Sequence, residues 1–88
     1  MNNTELNTFE ALKYKIVVDK DGSKEWYINN QLHRENGHAA EWANGAKEWF
    51  INGKRHLENG PAFESANGDK EWYINNHEMT EEEFNARK

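Results

Sequence analysis

The chain has 88 residues, a formal charge of −5, no cysteine, and four Trp, three Tyr and four Phe. This length suits one small domain, which buries only roughly 60–65% of its unfolded surface, and the missing cysteines exclude a disulfide framework and a thiolate metal site. The acidity argues against general nucleic-acid binding, which draws on a basic footprint.

The opening stretch "MNNTELNTFEALKYK" has neither the basic start nor the apolar run of a signal peptide, and no later segment reaches membrane-spanning length. A soluble cytoplasmic protein is expected. Residues 1–13 form an N-terminal segment in which "TELNTFEALK" has the makings of a short helix. Residues 14–80 are dominated by one phrase written three times: "KEWYINN" at 24–30, "KEWFING" at 47–53 and "KEWYINN" at 70–76. Trp26, Trp49 and Trp72 recur with a 23-residue period, and a fixed period of this kind marks tandem supersecondary units.

Each copy carries the signals of hairpins. Asp21-Gly22, Asn44-Gly45 and Asn67-Gly68 suit two-residue type I′ turns, with Asn29-Asn30, Asn52-Gly53 and Asn75-Asn76 as weaker equivalents further on. Two-residue loops at the first set place Val17 across from Trp26, Ala40 across from Trp49 and Phe63 across from Trp72. The second set places His33 opposite Trp26, His56 opposite Trp49 and Met79 opposite Trp72. Period-two alternation puts Lys, Trp and Ile of each phrase on one face and Glu with Tyr or Phe on the other. In "MTEEEFNARK", Thr80 and Glu83 make a capping box, so a helix is expected over 81–88, with Phe84 packing back on the last hairpin. The fold expected is a mainly β single domain over 1–88: three 23-residue β-hairpin repeats in a twisted antiparallel meander, closed by a short C-terminal helix.

The 23-residue period, the aromatic-turn-Gly pattern and phrases such as "EWFINGKRHLENGPAFE" resemble the MORN-like repeats, in the variant form common in small bacterial and bacteriophage proteins. The resemblance covers about residues 14–80. It implies successive hairpins in an elongated sheet and a role as an interaction module; some bacterial members are regarded as antitoxins. The chain departs from the pattern at "HRENGH" (33–38), which lacks the Gly-Pro of 60–61, and at its last copy, which ends in "HEMTEEEF".

His33, His38, His56 and His77, with Glu35 and Glu58, suggest a metal site, but tetrahedral zinc needs three or four converging ligands. The favoured alternative has each imidazole stacking on its cross-strand Trp and bonding a turn carbonyl. Glu25, Glu48 and Glu71, each preceded by a Lys, form a register that reads as a solvated charge ladder rather than acid–base machinery. Neither catalytic residues nor a cofactor or metal are assigned.

Tyr27, Phe50 and Tyr73 form a second apolar stripe with the composition of a protein-binding patch. Trp42, whose equivalents are Asp19 and Ser65, is the best single interface candidate, with packing against Lys47 as the alternative. Glu35, Glu58, Glu64 and the acidic run 81–83 are candidates for contact with a basic partner. The expected function is non-enzymatic protein binding, with no direct contact to nucleic acid or membrane. The resemblance suggests a small phage-type inhibitor of a host defence protein, working in the bacterial host cytoplasm, or an antitoxin-like neutraliser. The target would be a host or toxin protein with a basic surface of the kind that binds nucleic acid. Two readings stand beside it: a sugar or nucleotide binder using aromatic faces, and a self-assembly module whose sheet edges pair between copies.

Overall fold

The computed structural model describes residues 14–87, so the helix expected within 1–13 lies outside the described residues. The strands in chain order are β1 (Tyr14–Val18), β2 (Lys24–Ile28), β3 (Gln31–Leu32), β4 (Ala40–Glu41), β5 (Lys47–Glu48), β6 (Phe50–Ile51), β7 (Lys54–Arg55), β8 (Phe63–Glu64), β9 (Lys70–Ile74) and β10 (His77–Met79), followed by a helix, α1 (Glu81–Ala86). All pairings are antiparallel. The main sheet runs β1-β2-β4-β5-β8-β9-β10, with β3 hydrogen-bonded to β2, while β6 and β7 pair separately. The molecule measures 53 × 37 × 16 Å, the thickness of little more than one sheet with its side chains. Among the described residues no large side chain is completely enclosed, and no helix is long and apolar enough to cross a membrane.

The two sets of turns differ from one another. Asn29-Asn30, Asn52-Gly53 and Asn75-Asn76 all have positive φ at both residues, from 49° to 79°, which is the type I′ geometry. They set the expected register: His33 N–H bonds the Trp26 carbonyl, His56 N–H bonds the Trp49 carbonyl, and Met79 stands opposite Trp72.

At the other set only the glycines, Gly22, Gly45 and Gly68, have positive φ. Each bonds back to the residue three before it (Asp19, Trp42, Ser65), and that residue's N–H reaches the carbonyl of the residue after the glycine. This is a type I turn closed by a bulge, one residue longer than a type I′ loop. Asp21 Oδ1 and Asn44 Oδ1 hold it by accepting from the N–H two residues on, in Ser23 and Ala46.

The extra residue corrects the expected register by one place, because side chains alternate with a period of two. Ile16, not Val17, stands opposite Trp26; Ala40 faces Glu48 instead of Trp49; Phe63 faces Glu71 instead of Trp72. One row across the sheet therefore reads Val17, Glu25, Ala40, Glu48, Phe63, Glu71, and the next reads Val18, Lys24, Glu41, Lys47, Glu64, Lys70. The second row alternates in sign from Lys24 onward, the favourable arrangement for facing side chains.

Each of the first two Trp residues sits where a strand changes partner. Trp26 N–H donates to the Ala39 carbonyl and Trp49 N–H to the Ala62 carbonyl, while their own carbonyls accept from His33 and His56 along the same edge. Ala39, Ala40 and Ala62 are fully buried, as strands passing beside bulky indoles require. At the C-terminal end Thr80 and Glu83 form the expected capping box. Phe84 is buried with its ring 6.5 Å from that of Trp72, and the Arg87 guanidinium lies 4.2 Å above Phe84.

Candidate functional site

On the tryptophan face, two pairs of residues repeat the same geometry. His33 Nδ1 accepts from Asn52 N–H at 2.9 Å and His56 Nδ1 accepts from Asn75 N–H at 3.1 Å. An accepting Nδ1 leaves the ring proton on Nε2, which points in each case at a carboxylate 3.3 Å away, Glu35 or Glu58. The imidazoles thus accept from an amide in the turn of the next hairpin rather than donating to a turn carbonyl. Glu35 and Glu58 are 75% and 70% exposed, so both acids face solvent from anchored positions.

The indoles are covered by other residues. The Arg34 guanidinium lies 4.1 Å above Trp26. His38 stands edge-on between Trp26 and Trp49, with centroid distances of 5.8 and 5.6 Å. Burial holds the His38 imidazole below its ordinary range, partly offset by Glu41 with its carboxylate 3.7 Å away; Arg34 and Lys47 push in the same direction as burial. His38 occupies the place that Pro61 takes in "HLENGP", and the identity of that residue is the only signal the sequence offers for its role.

The opposite face holds the aromatic stripe and corrects the solvated-ladder reading. Glu25 and Glu71 accept from the hydroxyls of Tyr27 (3.3 Å) and Tyr73 (3.0 Å). Both phenols are raised above their usual range, first by burial and then by these neighbouring carboxylates. Glu48 differs: it is only 6% exposed, flanked by Ala40 and Phe63. Its two oxygens take the Arg55 Nε at 2.7 Å and the Trp42 indole N–H at 2.8 Å. Arg55 in turn spans Phe50 and Tyr73, 5.5 Å from each ring, and the hydrogen bond it donates to Glu48 holds its guanidinium more firmly protonated still.

The candidate residues thus divide between two faces. Trp42, Phe50 and Tyr73 gather around Glu48 and Arg55, with Phe50 buried and Trp42 half-buried against the Ala39, Ala40 and Phe50 cluster. Tyr27 stays with Glu25. Glu35 and Glu58 lie on the tryptophan face; Glu64 is in the charged row, 3.9 Å from Lys70. Glu81, Glu82 and Glu83 are exposed in the first turn of α1, with Glu83 engaged in the capping box. Arg34 and Arg55 were not singled out from sequence, and His38 was considered there only among the histidines weighed as metal ligands. A signal for Arg55 did exist: Trp42, Phe50 and Arg55 all depart from their equivalents one period along the chain, and they depart together.

Among the described residues no three His, Asp or Glu side chains converge so as to hold a metal ion. Comparison with family models, with curated proteins and with solved structures gives no match to this chain.

Proposed function

We propose that the chain is a tandem array of three 23-residue hairpin units and a non-enzymatic protein-binding module, cytoplasmic in location, that blocks a basic surface on its target. The observation that carries the reading is the anchoring of Glu35 and Glu58. Each exposed carboxylate is held by an imidazole that is itself pinned to the backbone of the next turn. The spacing of the two charges is therefore set by the sheet rather than by free side chains, and a preorganised pair loses less entropy on meeting a basic partner. Glu81 and Glu82 extend the acidic surface at the C-terminal end. An inhibitor of the phage or antitoxin type implied by the MORN-like resemblance would use such a surface in place of nucleic acid.

The test begins with co-purification from bacterial cytosol, followed by titration of the purified partner across a salt series. The double variant Glu35→Lys/Glu58→Lys is expected to bind at least roughly tenfold more weakly at low salt, with the gap closing as salt screens the exposed charges. Equal affinity of the variant and the parent chain at every salt concentration would remove the acidic pair from the interface.

A further inference from the structure

We propose that β1 is the contact strand of a two-fold homodimer, in which the outer edges of two copies pair antiparallel about Ile16. The direction of the backbone groups leads to this. Ile16 stands opposite Trp26, yet Trp26 spends its N–H on Ala39 and its carbonyl on His33. The Ile16–Trp26 pair is therefore a non-hydrogen-bonded one, and the N–H and C=O of Ile16 point away from β2. By alternation those of Tyr14 and Val18 do the same. Among the described residues no strand pairs with that edge.

Among the described residues, the side chains of the same three are the large apolar groups most open to solvent: Tyr14 is 72% exposed, Ile16 61% and Val18 61%. They continue the face that carries Trp26 and Ile28. Beside them lies a depression of about 370 Å³ bounded by Tyr14, Ile16, Trp26, Ile28 and Arg34. The strand has none of the usual devices that discourage edge pairing, being five residues long with no proline, no bulge and Lys15 as its one charge.

The opposite edge of the sheet is built differently. There β10 has three residues, carries Glu78, and runs into α1 with Phe84 buried beside Trp72. A sheet with one edge left unpaired among the described residues and the other protected closes at two copies, because head-to-tail growth would need both edges.

Self-pairing also suits the sequence of β1. With Ile16 on the two-fold axis all five residues overlap, Tyr14 meets the second copy's Val18, and Lys15 meets the second copy's Val17. The two ammonium groups are thus kept apart. A centre at Val17 would push Tyr14 past the end of the strand, against the turn at Lys20. The inference rests on the backbone edge and register of β1 rather than on the acidic pair, although Glu35 also bounds the depression beside it.

Analytical ultracentrifugation of the full chain over a dilution series tests it. The expected result is twice the chain mass at high concentration, falling to the monomer on dilution. Ile16→Lys places two like charges on the axis at an already exposed position, and is expected to stay monomeric with an unchanged circular dichroism spectrum. Register is read by disulfide trapping, which the absence of native cysteine makes clean. An equimolar mixture of Lys15→Cys and Val17→Cys chains should give a mixed covalent dimer under mild oxidation, since facing non-hydrogen-bonded residues lie about 4.5 Å apart between Cα atoms, within disulfide reach. A chain monomeric throughout, whether residues 1–13 or water meets the edge, overturns the proposal, as does a dimer that survives Ile16→Lys.

Discussion

Glu48 and Glu71 sit one period apart in the same "KEW" context, and they live in different surroundings. Glu71 accepts a hydrogen bond from the Tyr73 hydroxyl two residues along its own strand, in contact with solvent. Glu48 has Phe50 where that tyrosine would be, is buried, and takes its partners from elsewhere: Trp42 across the bulged turn and Arg55 from the following hairpin. A short shared phrase thus fixes the path of the strand but not the chemistry of its acid, which depends on Trp42 and Arg55 outside the phrase and on Phe50 at one of its two variable positions. The row through Glu48 continues on both sides, to Ala40 and Phe63, so its carboxylate must be satisfied from within the protein, whereas the row through Glu71 has Phe63 as its one strand partner. Near an end of the sheet, water can finish the work.

The largest effect that would test this contrast between centre and end is the loss of an indole. Trp49→Ala should cost about 3 kcal/mol, the lower end for a large aromatic because the ring is half-buried, while Trp72→Ala should cost less because its packing partner Phe84 lies at the end of the sheet. Chemical denaturation of both variants checks the order, and a Trp72 variant weaker than the Trp49 variant would break it.

Next comes the carboxylate itself. Arg55→Ala leaves the buried Glu48 charge with Trp42 as its remaining partner and should cost roughly 1–3 kcal/mol, limited because the Arg55 side chain is itself 42% exposed and its pairing is screened. Glu71→Gln should cost about 0.5 kcal/mol, because the amide oxygen can still accept from the Tyr73 hydroxyl and only the charge assistance is lost, in contact with solvent.

A sharper version exchanges the variable aromatic. Phe50→Tyr puts a hydroxyl into a filled site and is expected to destabilise by about 1–3 kcal/mol, whereas Tyr73→Phe should cost about 1 kcal/mol or less. Equal costs at the two positions would show that Trp42 and Arg55 had not made the central site distinct.

The smallest effect is one of pH. His38 is held below its ordinary range by burial, so the unfolded chain binds a proton that the folded chain refuses. This contribution to stability is complete above about pH 6.5, the ordinary histidine value, declines as pH falls toward the depressed folded value, and levels off below it. His38→Pro, which copies the residue at Pro61, should flatten that segment of the stability profile relative to the parent chain. Subtracting the two profiles removes the background from the carboxylates.

Much of the architecture was legible because it is written locally. The Trp-centred hairpins, the register at Asn29-Asn30, Asn52-Gly53 and Asn75-Asn76, and the Thr80–Glu83 cap all follow from residues close together in the chain. The Asn-Gly turns misled because this dipeptide serves two geometries: positive φ at both residues, or at the glycine alone with a bulge. The choice made here is held by side-chain acceptors such as Asn44 Oδ1 within the longer loop. The candidate site was less legible. Which histidine stacks on tryptophan, and which accepts an amide from the turn of the next hairpin, depends on contacts between successive hairpins, and neighbouring residues carry little trace of those.

The change of partner at each tryptophan also separates two kinds of opening motion. The amide protons of Trp26 and Trp49 are held by the carbonyls of Ala39 and Ala62, in the following hairpin, whereas those of His33 and His56 close a hairpin upon itself. Solvent deuterium reaches the first pair only when adjacent hairpins part, and the second only when one hairpin unzips at its type I′ end. The exchange rates of these four amides would therefore give, within one chain, the cost of separating neighbours and the cost of opening a single unit.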